Sequence, residues 1–299
     1  MSAPRVAILT VTTNAAGHLP AYLAALANVT YPNWSLTVVD NGSVDGSVQL
    51  VKSERPDATV IENGENLGFT GACNRALDSL AKDETVDFVL FLNDDTEVTP
   101  GFLEPLVAYG GEHTLVAPKT YLAGQPGILD DAAGEFDWWK GAWKKQVLGK
   151  RETAAENVPR EIDNANLSCL LVPRGAFQSV GVLDDAFFVY YDDTDFCRRA
   201  AEGGYRLMYE PASVVYHRKG ATLGGQVSAF GCYYLARNRP YLMRKHLAPG
   251  RFAVFMMYYL ATRTARMALW LGQGRRDLVG ATLAGLRDFA LGRMGRRRK

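Results

Sequence analysis

Several features that would assign a protein to a specialised class are missing from this sequence of 299 residues. The four cysteines (Cys73, Cys169, Cys197 and Cys232) are scattered without CxxC spacing, which argues against zinc sites and disulfides. No GxGxxG segment follows the first predicted strand, which argues against NAD-dependent chemistry. The first residues lack a basic segment followed by a long apolar run, so we interpret them as a strand and not as a signal peptide. We therefore expect a cytoplasmic protein.

Apolar runs long enough to span a membrane are also missing. The most apolar stretch, Phe252–Ala261, is followed by Arg263 and Arg266 and falls far short of the ~20 residues that a spanning helix needs. Together with Gln273 and Asp277, these arginines recur at helical spacing, which predicts one helical face. This pattern favours an amphipathic helix lying on a membrane surface. The alternatives are a helix packed on the rest of the chain or in a homodimer.

The overall charge of +1 conceals a strong asymmetry along the chain. Residues 237–299 carry a net charge of +13, whereas residues 1–236 carry −12. A basic tail suits an anionic lipid surface. The acidic body and the scarcity of aromatic residues in the tail after Trp270 argue against a nucleic-acid partner.

Strands and helices alternate over the first hundred residues. We predict strands at Val6–Val11, Ser35–Val39, Thr59–Ile61 and Phe88–Leu92, and helices at His18–Val29, Asp45–Lys52 and Phe69–Ala81. Such alternation predicts an α/β fold with a mostly parallel sheet and helices on both faces. Ligands of such sheets bind at the carboxyl ends of the strands, where this sequence places polar residues.

The alternation ends after about residue 120. Residues 124–160 show no clear period, which predicts a loop insertion or short antiparallel strands. Further strands are predicted at Ala165–Val172 and Tyr205–Tyr209.

Adjacent carboxylates follow the predicted strand Phe88–Leu92. Magnesium and manganese ions prefer oxygen ligands and bind well when a substrate diphosphate completes their coordination. We therefore predict Asp95 as a metal ligand, with Asp94 and Asn93 nearby. The alternative is a polar turn whose acids cap the next helix.

A second acidic group lies in the segment Phe187–Arg198, where Asp192, Asp193 and Asp195 follow a series of aromatic residues. Like charges beside aromatic rings raise carboxylate pKa values, as a proton acceptor requires. The alternative is a helix N-terminus, which favours acidic residues. That alternative accounts easily for Asp195 but less easily for all three acids.

His217 follows an apolar strand that we expect to begin after a turn at Glu210-Pro211. Its position predicts a metal ligand beside Asp95, although a single histidine is more often a packed or surface residue. The next residues, Arg218 and Lys219, could neutralise phosphate charge.

Glycines begin the helix predicted after Glu65. Gly68 and Gly71 would allow the backbone to approach a ligand closely. The spacing matches neither the Walker motif nor the dinucleotide fingerprint.

Six blocks of the sequence, taken in order, resemble the inverting glycosyltransferases of family 2, and within them the rhamnosyltransferase-like branch. The blocks are VVDNGSVDGS (39–48), ENLGFTGACN (65–74), LNDDTEV (92–98), GVLDDAFFVYYDDTDFCRRAAEGGY (181–205), VVYHRKGAT (214–222) and YYLARNRPY (233–241). The resemblance implies the GT-A fold, a Rossmann-like domain that we expect to occupy residues 1–240. Residues 241–299 would then form a basic helical extension.

The resemblance also implies roles for individual residues. The catalytic base would be Asp193, and the metal ligands would be Asp95 and His217. Donor contacts would come from Thr12, Asp40, Asn66, Gly71, Asn74 and Asp94. Acceptor-side candidates are Asp192 and, because aromatic surfaces suit sugar rings, Trp138 and Trp139.

The implied reaction is a metal-dependent transfer with inversion, using Mg²⁺ or Mn²⁺ as the cofactor. The expected donor is dTDP-rhamnose, with a UDP-hexose as the alternative, and the expected acceptor is a saccharide or a lipid-linked saccharide. The reaction would serve cell-wall or surface polysaccharide synthesis. A nucleotide- or carbohydrate-binding module without catalysis is the alternative from another class.

Overall fold

The computed structural model describes residues 3–130, 133–144, 147–218 and 228–297. The strands are, in chain order, β1 (Val6–Thr12), β2 (Trp34–Asp40), β3 (Thr59–Glu62), β4 (Phe88–Leu92), β5 (Thr96–Val98), β6 (Thr114–Leu122), β7 (Ala133–Gly134), β8 (Phe136–Asp137), β9 (Ala142–Trp143), β10 (Arg160–Glu161), β11 (Asn164–Ala165), β12 (Cys169–Pro173) and β13 (Arg206–His217). The α-helices are α1 (Leu19–Ala27), α2 (Ser47–Glu54), α3 (Gly68–Leu80), α4 (Leu103–Tyr109), α5 (Arg174–Ser179), α6 (Asp192–Glu202), α7 (Ala229–His246), α8 (Pro249–Gly272) and α9 (Arg276–Ala290).

A mixed sheet forms the centre of the molecule, with strand order β10-β13-β6-β12-β4-β1-β2-β3, and β5 pairs with β13. Strands β1 to β4 are mutually parallel, and β12 runs antiparallel between β4 and β6. Strands β6 and β13 therefore point the same way as β1 to β4. The carboxyl ends of these six strands share one edge of the sheet.

Alternate residues of the central strands enter two separate cores, because successive side chains of a strand point to opposite faces. Ala7 and Leu9 of β1 pack in a core with α3, α5 and α6. Val6 and Ile8 pack in a second core with α1, α2 and α4. The prediction of helices on both faces of a mostly parallel sheet is confirmed.

The second half of the chain differs from the predictions in two places. The predicted strand Ala165–Val172 is divided between β11 and β12. The turn expected at Glu210-Pro211 was wrong, because β13 continues through both residues with a register shift between Glu210 and Val214. A bulge tolerates the missing N–H of Pro211, so the proline does not end the strand. For residues 124–160, the alternative of short antiparallel strands is confirmed.

Helices α7, α8 and α9 follow the sheet. Helix α9 packs very closely on α7, since a Cβ atom added at Gly285 would lie 2.3 Å from the carbonyl oxygen of Tyr233. The single face predicted through Asp277 was wrong, because the chain turns between α8 and α9. Within the described ranges, no helix is long and apolar enough to cross a membrane. Helix α7 runs through residue 240, and the proposed division into two domains stays a prediction.

Candidate active site

An aspartate and a histidine predicted as metal ligands meet at the carboxyl edge of the sheet. Strand β5 pairs antiparallel with the end of β13, so that His217 lies opposite Thr96. This pairing brings Asp95 Oδ1 within 3.2 Å of His217 Nε2, although the two residues are far apart in the sequence. The structure therefore brings the two predicted ligands together.

A third carboxylate orients the imidazole of His217. His217 Nδ1 donates a hydrogen bond of 2.6 Å to Asp130 Oδ2, and Asp130 is almost fully buried. Burial alone would lower the pKa of His217, but the carboxylates of Asp130 and Asp95 outweigh it and raise the pKa to about 9. The sequence analysis missed Asp130 because it lies in the segment without a clear period.

These residues fit a divalent cation. Asp95 Oδ1 is buried and makes no hydrogen bond of acceptable geometry within the described residues, where it faces His217 Nε2 at 3.2 Å, so a cation between the two atoms would satisfy both. A metal-bound histidine usually donates its other ring N–H to a carboxylate, as His217 does to Asp130. In the part of the chain that the structure describes, no three His, Cys, Asp or Glu side chains form a complete metal site. The donor diphosphate and water would have to supply the remaining ligands.

Asp94 faces a second histidine that the sequence analysis missed. His18 Nε2 lies 3.4 Å from Asp94 Oδ1, and both residues are largely buried. The neighbouring carboxylate of Asp94 raises the pKa of His18, which favours the charged form. This contact joins the segment before α1 to the acidic segment after β4.

The loops after β1 and β2 form a polar cradle next to this acidic pair. Asp40 is buried and accepts hydrogen bonds from the backbone N–H groups of Gly42 and Ser43. Thr12 lies opposite Asp40 in the β1–β2 register. Its hydroxyl is buried without a hydrogen-bond partner in the described residues. Both residues therefore lie at the carboxyl edge of the sheet, and their contact with a nucleoside stays a prediction.

The loop before α3 is fixed to this cradle. Asn41 Nδ2 donates to the Asn66 side chain at 3.2 Å and to the Gly68 carbonyl at 3.1 Å. Gly68 has φ +79°, and a Cβ atom there would lie 2.4 Å from the ring of Phe188. A glycine is required at this close approach.

The other predicted donor residues in this region have protein partners. Asn74 makes hydrogen bonds with the backbone of Leu183 and with the Asp185 carboxylate. Gly71 lies in α3 facing Leu67. Asn74 thus fixes α3 to the segment that precedes α6.

Helix α6 begins with the three predicted acids, Asp192, Asp193 and Asp195, all in its first turn. The alternative considered above, that acidic residues favour a helix N-terminus, therefore applies to all three acids. Burial raises the pKa of Asp193 to about 6, and burial together with the charge of Asp193 holds the pKa of Asp192 well above its usual range. Asp193 Oδ1 accepts the backbone N–H of Thr194 at 2.6 Å and its hydroxyl at 3.2 Å.

Asp195 differs from the two acids before it. Burial alone would raise its pKa, but His246, Arg199 and Lys245 outweigh that effect and lower the pKa to about 2. Asp195 accepts hydrogen bonds from His246 and Arg199, each at 2.8 Å. It therefore joins α6 to the end of α7 as an ionised structural residue.

Helix α6 lies close to the acidic segment after β4. The backbone N–H of Asn93 donates to the Ser168 carbonyl at 2.9 Å. The thiol of Cys197 in α6 donates to the Ala165 carbonyl at 3.6 Å. Residues 165–168 therefore connect the first turns of α6 with the segment that carries Asp94 and Asp95.

The loop before α6 has an unusual backbone. Phe188, Tyr190 and Tyr191 have φ values of +67°, +65° and +68°, in a region that non-glycine residues seldom adopt. Such conformations persist only where surrounding contacts impose them, and they cluster at functional sites. No pattern in the sequence predicts this backbone.

Two buried side chains of α7 hold that loop. Asn238 Nδ2 donates to the carbonyls of Phe187, Val189 and Tyr190 at 2.9, 2.7 and 3.1 Å. Arg237 donates to the carbonyls of residues 186 and 187. Both side chains are fully buried, and together they impose the backbone that leads into Asp192 and Asp193.

The two tryptophans proposed for the acceptor side occupy different environments. Trp138 packs edge-on against Phe136 and His246. Trp139 is 61% exposed, with Arg251 over its ring. Of the two, Trp139 has the exposed aromatic surface that a sugar ring could contact.

Comparison with known proteins identifies the family. Residues 7–160, more than half of the chain, match the model described as glycosyl transferase family 2. N-acetylglucosaminyl-diphospho-decaprenol L-rhamnosyltransferase of Mycobacterium tuberculosis is 28% identical over 240 residues, covering 73% of this chain and 77% of that protein. The low-salt glycan biosynthesis hexosyltransferase Agl10 of Haloferax volcanii is 25% identical, covering 54% of this chain and 52% of that protein. The mycobacterial relative confirms the resemblance to the rhamnosyltransferase-like branch.

Solved structures confirm the GT-A fold. The crystal structure of GalNAc-T7 with UDP, GalNAc and Mn²⁺ matches with a TM-score of 0.66 at 16% identity, covering 97% of this chain and 56% of that chain. The S. aureus TarS structure with UDP-GlcNAc matches with a TM-score of 0.57 at 17% identity, covering 93% of this chain and 79% of that chain. The fold, the ordered motifs and the family match lead to one conclusion: this chain is a glycosyltransferase that belongs to glycosyl transferase family 2.

Proposed function

We propose that this glycosyltransferase is metal-dependent and inverting, and that it transfers L-rhamnose from dTDP-rhamnose to a lipid-linked saccharide in cell-wall or surface polysaccharide synthesis. The observation that carries the proposal is the meeting of Asp95 and His217, with Asp130 orienting the imidazole. The choice of sugar and acceptor is supported by the name of the mycobacterial relative, an N-acetylglucosaminyl-diphospho-decaprenol L-rhamnosyltransferase.

Asp95 and His217 Nε2 are the groups that would hold the divalent cation. When bound, Mg²⁺ or Mn²⁺ offsets the negative charge that develops on the leaving diphosphate. Asp130 keeps Nε2 turned toward Asp95, and His18 keeps Asp94 at the same edge. Thr12, Asp40 and Asn66 would contact the nucleoside.

Asp193 is the proposed catalytic base. Its raised pKa suits a group that must accept a proton near neutral pH. Oδ1 is engaged by Thr194, so we assign the incoming proton to Oδ2. As the acceptor hydroxyl loses its proton to Asp193, its oxygen bonds to the anomeric carbon while the bond to the diphosphate oxygen breaks. One such displacement inverts the configuration and requires no second nucleophile.

An Asp193→Asn variant tests this assignment. We expect turnover to fall by about 10²–10⁴-fold, because the amide cannot accept the proton. The affinity for the donor should stay unchanged. Asp277→Asn, which removes a half-exposed carboxylate from α9, serves as the control with normal turnover. Near-normal turnover of Asp193→Asn would remove that residue from the role.

A UDP-hexose is the second candidate donor, because solved TarS complexes contain UDP and UDP-GlcNAc. A panel of dTDP- and UDP-linked sugars, read by nucleotide release in the presence of acceptor, separates the two. We expect the highest kcat/KM for dTDP-rhamnose. If a UDP-hexose has the highest value, it replaces rhamnose in the proposal. Donor binding without turnover for any sugar would favour a binding module.

We further propose that α8 lies on the cytoplasmic surface of a membrane. Only Phe255 and Tyr259 of this long helix are fully buried. Exposed apolar residues recur every three or four positions and form one stripe, here named the α8 stripe. Its members are Val254, Met257, Tyr258, Ala261, Ala265, Ala268 and Leu269.

The charges near the α8 stripe support a lipid surface. Arg251 and Arg266 are exposed on the same helix, where they could meet anionic headgroups. A homodimer through this face is the alternative. An enzyme bound to the membrane surface in this way would be close to a lipid-linked acceptor, which lies in the same membrane.

A further inference from the structure

A cavity of about 1100 Å³ lies between the loop before α6, the start of α7 and the C-terminal segment (residues 292–297). Its floor is aromatic: Phe188, Tyr233 and Tyr234 are almost completely buried and line it. Phe188 stacks on Tyr234 with ring centroids 5.1 Å apart. Phe230, 42% exposed, lines the cavity as well. The floor is therefore built of aromatic rings, with the Arg297 guanidinium 4.5 Å above the ring of Tyr233.

Arginines form the rim of the cavity. Arg287, Arg293, Arg296 and Arg297 line it, and Asp288 is the one acid among the described lining residues. Arg287 pairs with Asp288 at 3.0 Å, and Arg293 lies 4.0 Å from the same carboxylate. Because 62% and 65% of these two side chains stay exposed, their guanidinium groups can still reach a ligand. Arg296 also pairs with Glu65 at 2.8 Å. The four arginines still outnumber these two acids, so the rim carries an excess of positive charge, which attracts an anion.

The C-terminal segment that carries this rim is fixed to the catalytic domain. Gly295 N donates to the Ala186 carbonyl at 2.8 Å, and Arg237 donates to the Gly295 carbonyl. Arg297 N donates to the Tyr234 hydroxyl at 3.0 Å. These hydrogen bonds therefore fix the position of the basic segment beside the cavity.

The cavity adjoins both halves of the proposed active site. Asn66, a predicted donor contact, lines one side. The carbonyl of Phe188 accepts the backbone N–H of Phe69 at 2.7 Å, and the chain continues from Phe188 to Asp193 within five residues. A ligand bound here would thus lie against the loop that leads into Asp193, the proposed base.

We propose that this cavity binds the diphosphate and the adjoining apolar chain of a lipid diphosphate-linked acceptor. Guanidinium groups pair with phosphate oxygens through parallel hydrogen bonds, and the aromatic floor would take the first carbons of the lipid. The donor diphosphate would bind separately, with the cation at Asp95 and His217. This assignment rests on the proposed function, since it specifies the acceptor of that reaction.

Binding of farnesyl diphosphate to the full chain tests the proposal. EDTA in the buffer prevents any contribution from the cation site. We expect Arg293→Ala and Arg297→Ala each to weaken binding by about tenfold, because each removes a charged contact with the diphosphate. Arg293→Glu should weaken it further, and this exposed position leaves folding intact. Arg206→Ala is the matched control, since Arg206 is 62% exposed and lies at the opposite edge of the sheet.

Two further ligands separate the contribution of the aromatic floor from that of the arginines. Inorganic pyrophosphate should bind more weakly than farnesyl diphosphate, and dTDP with Mn²⁺ should bind all variants equally well. The proposal is overturned if farnesyl diphosphate does not bind, or if Arg293→Glu leaves its binding unchanged. Equal affinity for pyrophosphate would refute the role of the aromatic floor. A parallel loss of dTDP binding would assign the arginines to the donor instead.

These binding measurements require no turnover. Failure of the proposed rhamnosyl transfer would therefore leave their outcome unaffected, and the two proposals can fail independently.

Discussion

Asp130 illustrates how a residue without a recognisable motif completes a site. Its carboxylate accepts a hydrogen bond from His217 Nδ1, and this bond decides which ring nitrogen faces Asp95. The resemblance to the family predicted Asp95 and His217, because each follows a recognisable apolar strand. Asp130 and His18 lie in segments without such a pattern, and only the folded chain brings them to the same edge.

An Asp130→Asn variant should therefore bind Mn²⁺ about 10–100-fold more weakly, as is usual when a partner of a metal-bound histidine is lost. Titration with Mn²⁺ in the presence of dTDP measures this. Glu97→Gln is the control, because Glu97 pairs with Arg218, which directly follows the neighbouring strand β13. Unchanged Mn²⁺ affinity in Asp130→Asn would show that the carboxylate does not orient the ligand.

The raised pKa of Asp193 predicts the pH dependence of turnover. The base acts only when ionised, so kcat should fall about tenfold per pH unit as the pH drops below about 6. A kcat profile from pH 5 to 8 at saturating donor and acceptor measures it. The residual turnover of Asp193→Asn should lack this dependence. A wild-type profile that stays flat to pH 5 would contradict the assignment.

At the scale of elements, the loop before α6 shows what sequence patterns do not reveal. Acidic residues at a helix start are recognisable, and the segment was identified as important. The left-handed backbone at Phe188, Tyr190 and Tyr191 was not predictable, because aromatic residues seldom adopt it. This backbone depends on Asn238, about fifty residues later in the chain. Asn238 lies in the block at residues 233–241, which is recognisable only through its resemblance to the family.

Asn238→Ala should lower both stability and turnover. Three carbonyls would lose a buried donor, which we expect to cost about 1–3 kcal/mol of unfolding free energy. A small displacement of the base should reduce kcat by about tenfold or more with little change in the donor KM. Thermal unfolding and steady-state kinetics measure the two effects.

Asn33→Ala is the matched control for Asn238→Ala. It also removes an amide donor to a carbonyl, that of Ala3, but far from the loop before α6. Its kcat should be normal. If Asn238→Ala is destabilised but keeps full kcat, the side chain supports the fold without positioning the base.

The whole molecule combines a recognisable catalytic region with a basic C-terminal tail whose arrangement the sequence did not reveal. Alternating strands and helices predicted the sheet, because their apolar periodicity is local. The sequence predicts an amphipathic helix on a membrane for the basic tail, with a helix packed on the rest of the chain or in a homodimer as the alternatives. The structure divides the tail into exposed α8, packed α9 and a terminal segment that returns to Tyr234 and Ala186. Those contacts depend on tertiary packing, which charge and composition do not specify.

The α8 stripe provides a test at this scale. Met257→Glu and Leu269→Glu should each weaken binding to vesicles that contain anionic phospholipid by about tenfold, because a charge replaces an inserted apolar group. Vesicle co-sedimentation measures this. Leu283→Glu on α9, where the leucine is 52% exposed, is the control. The wild-type protein could instead fail to bind vesicles and form a dimer that Met257→Glu disrupts. In that case the α8 stripe contacts a second copy of the chain and not a membrane.

The account depends most on a cation held between Asp95 and His217. Anomalous diffraction from a crystal of the chain with Mn²⁺ and dTDP tests this directly. The account predicts one manganese peak in contact with the Asp95 carboxylate, His217 Nε2 and the diphosphate of the nucleotide. A bound nucleotide with the manganese elsewhere, or with no manganese at these two residues, would contradict it.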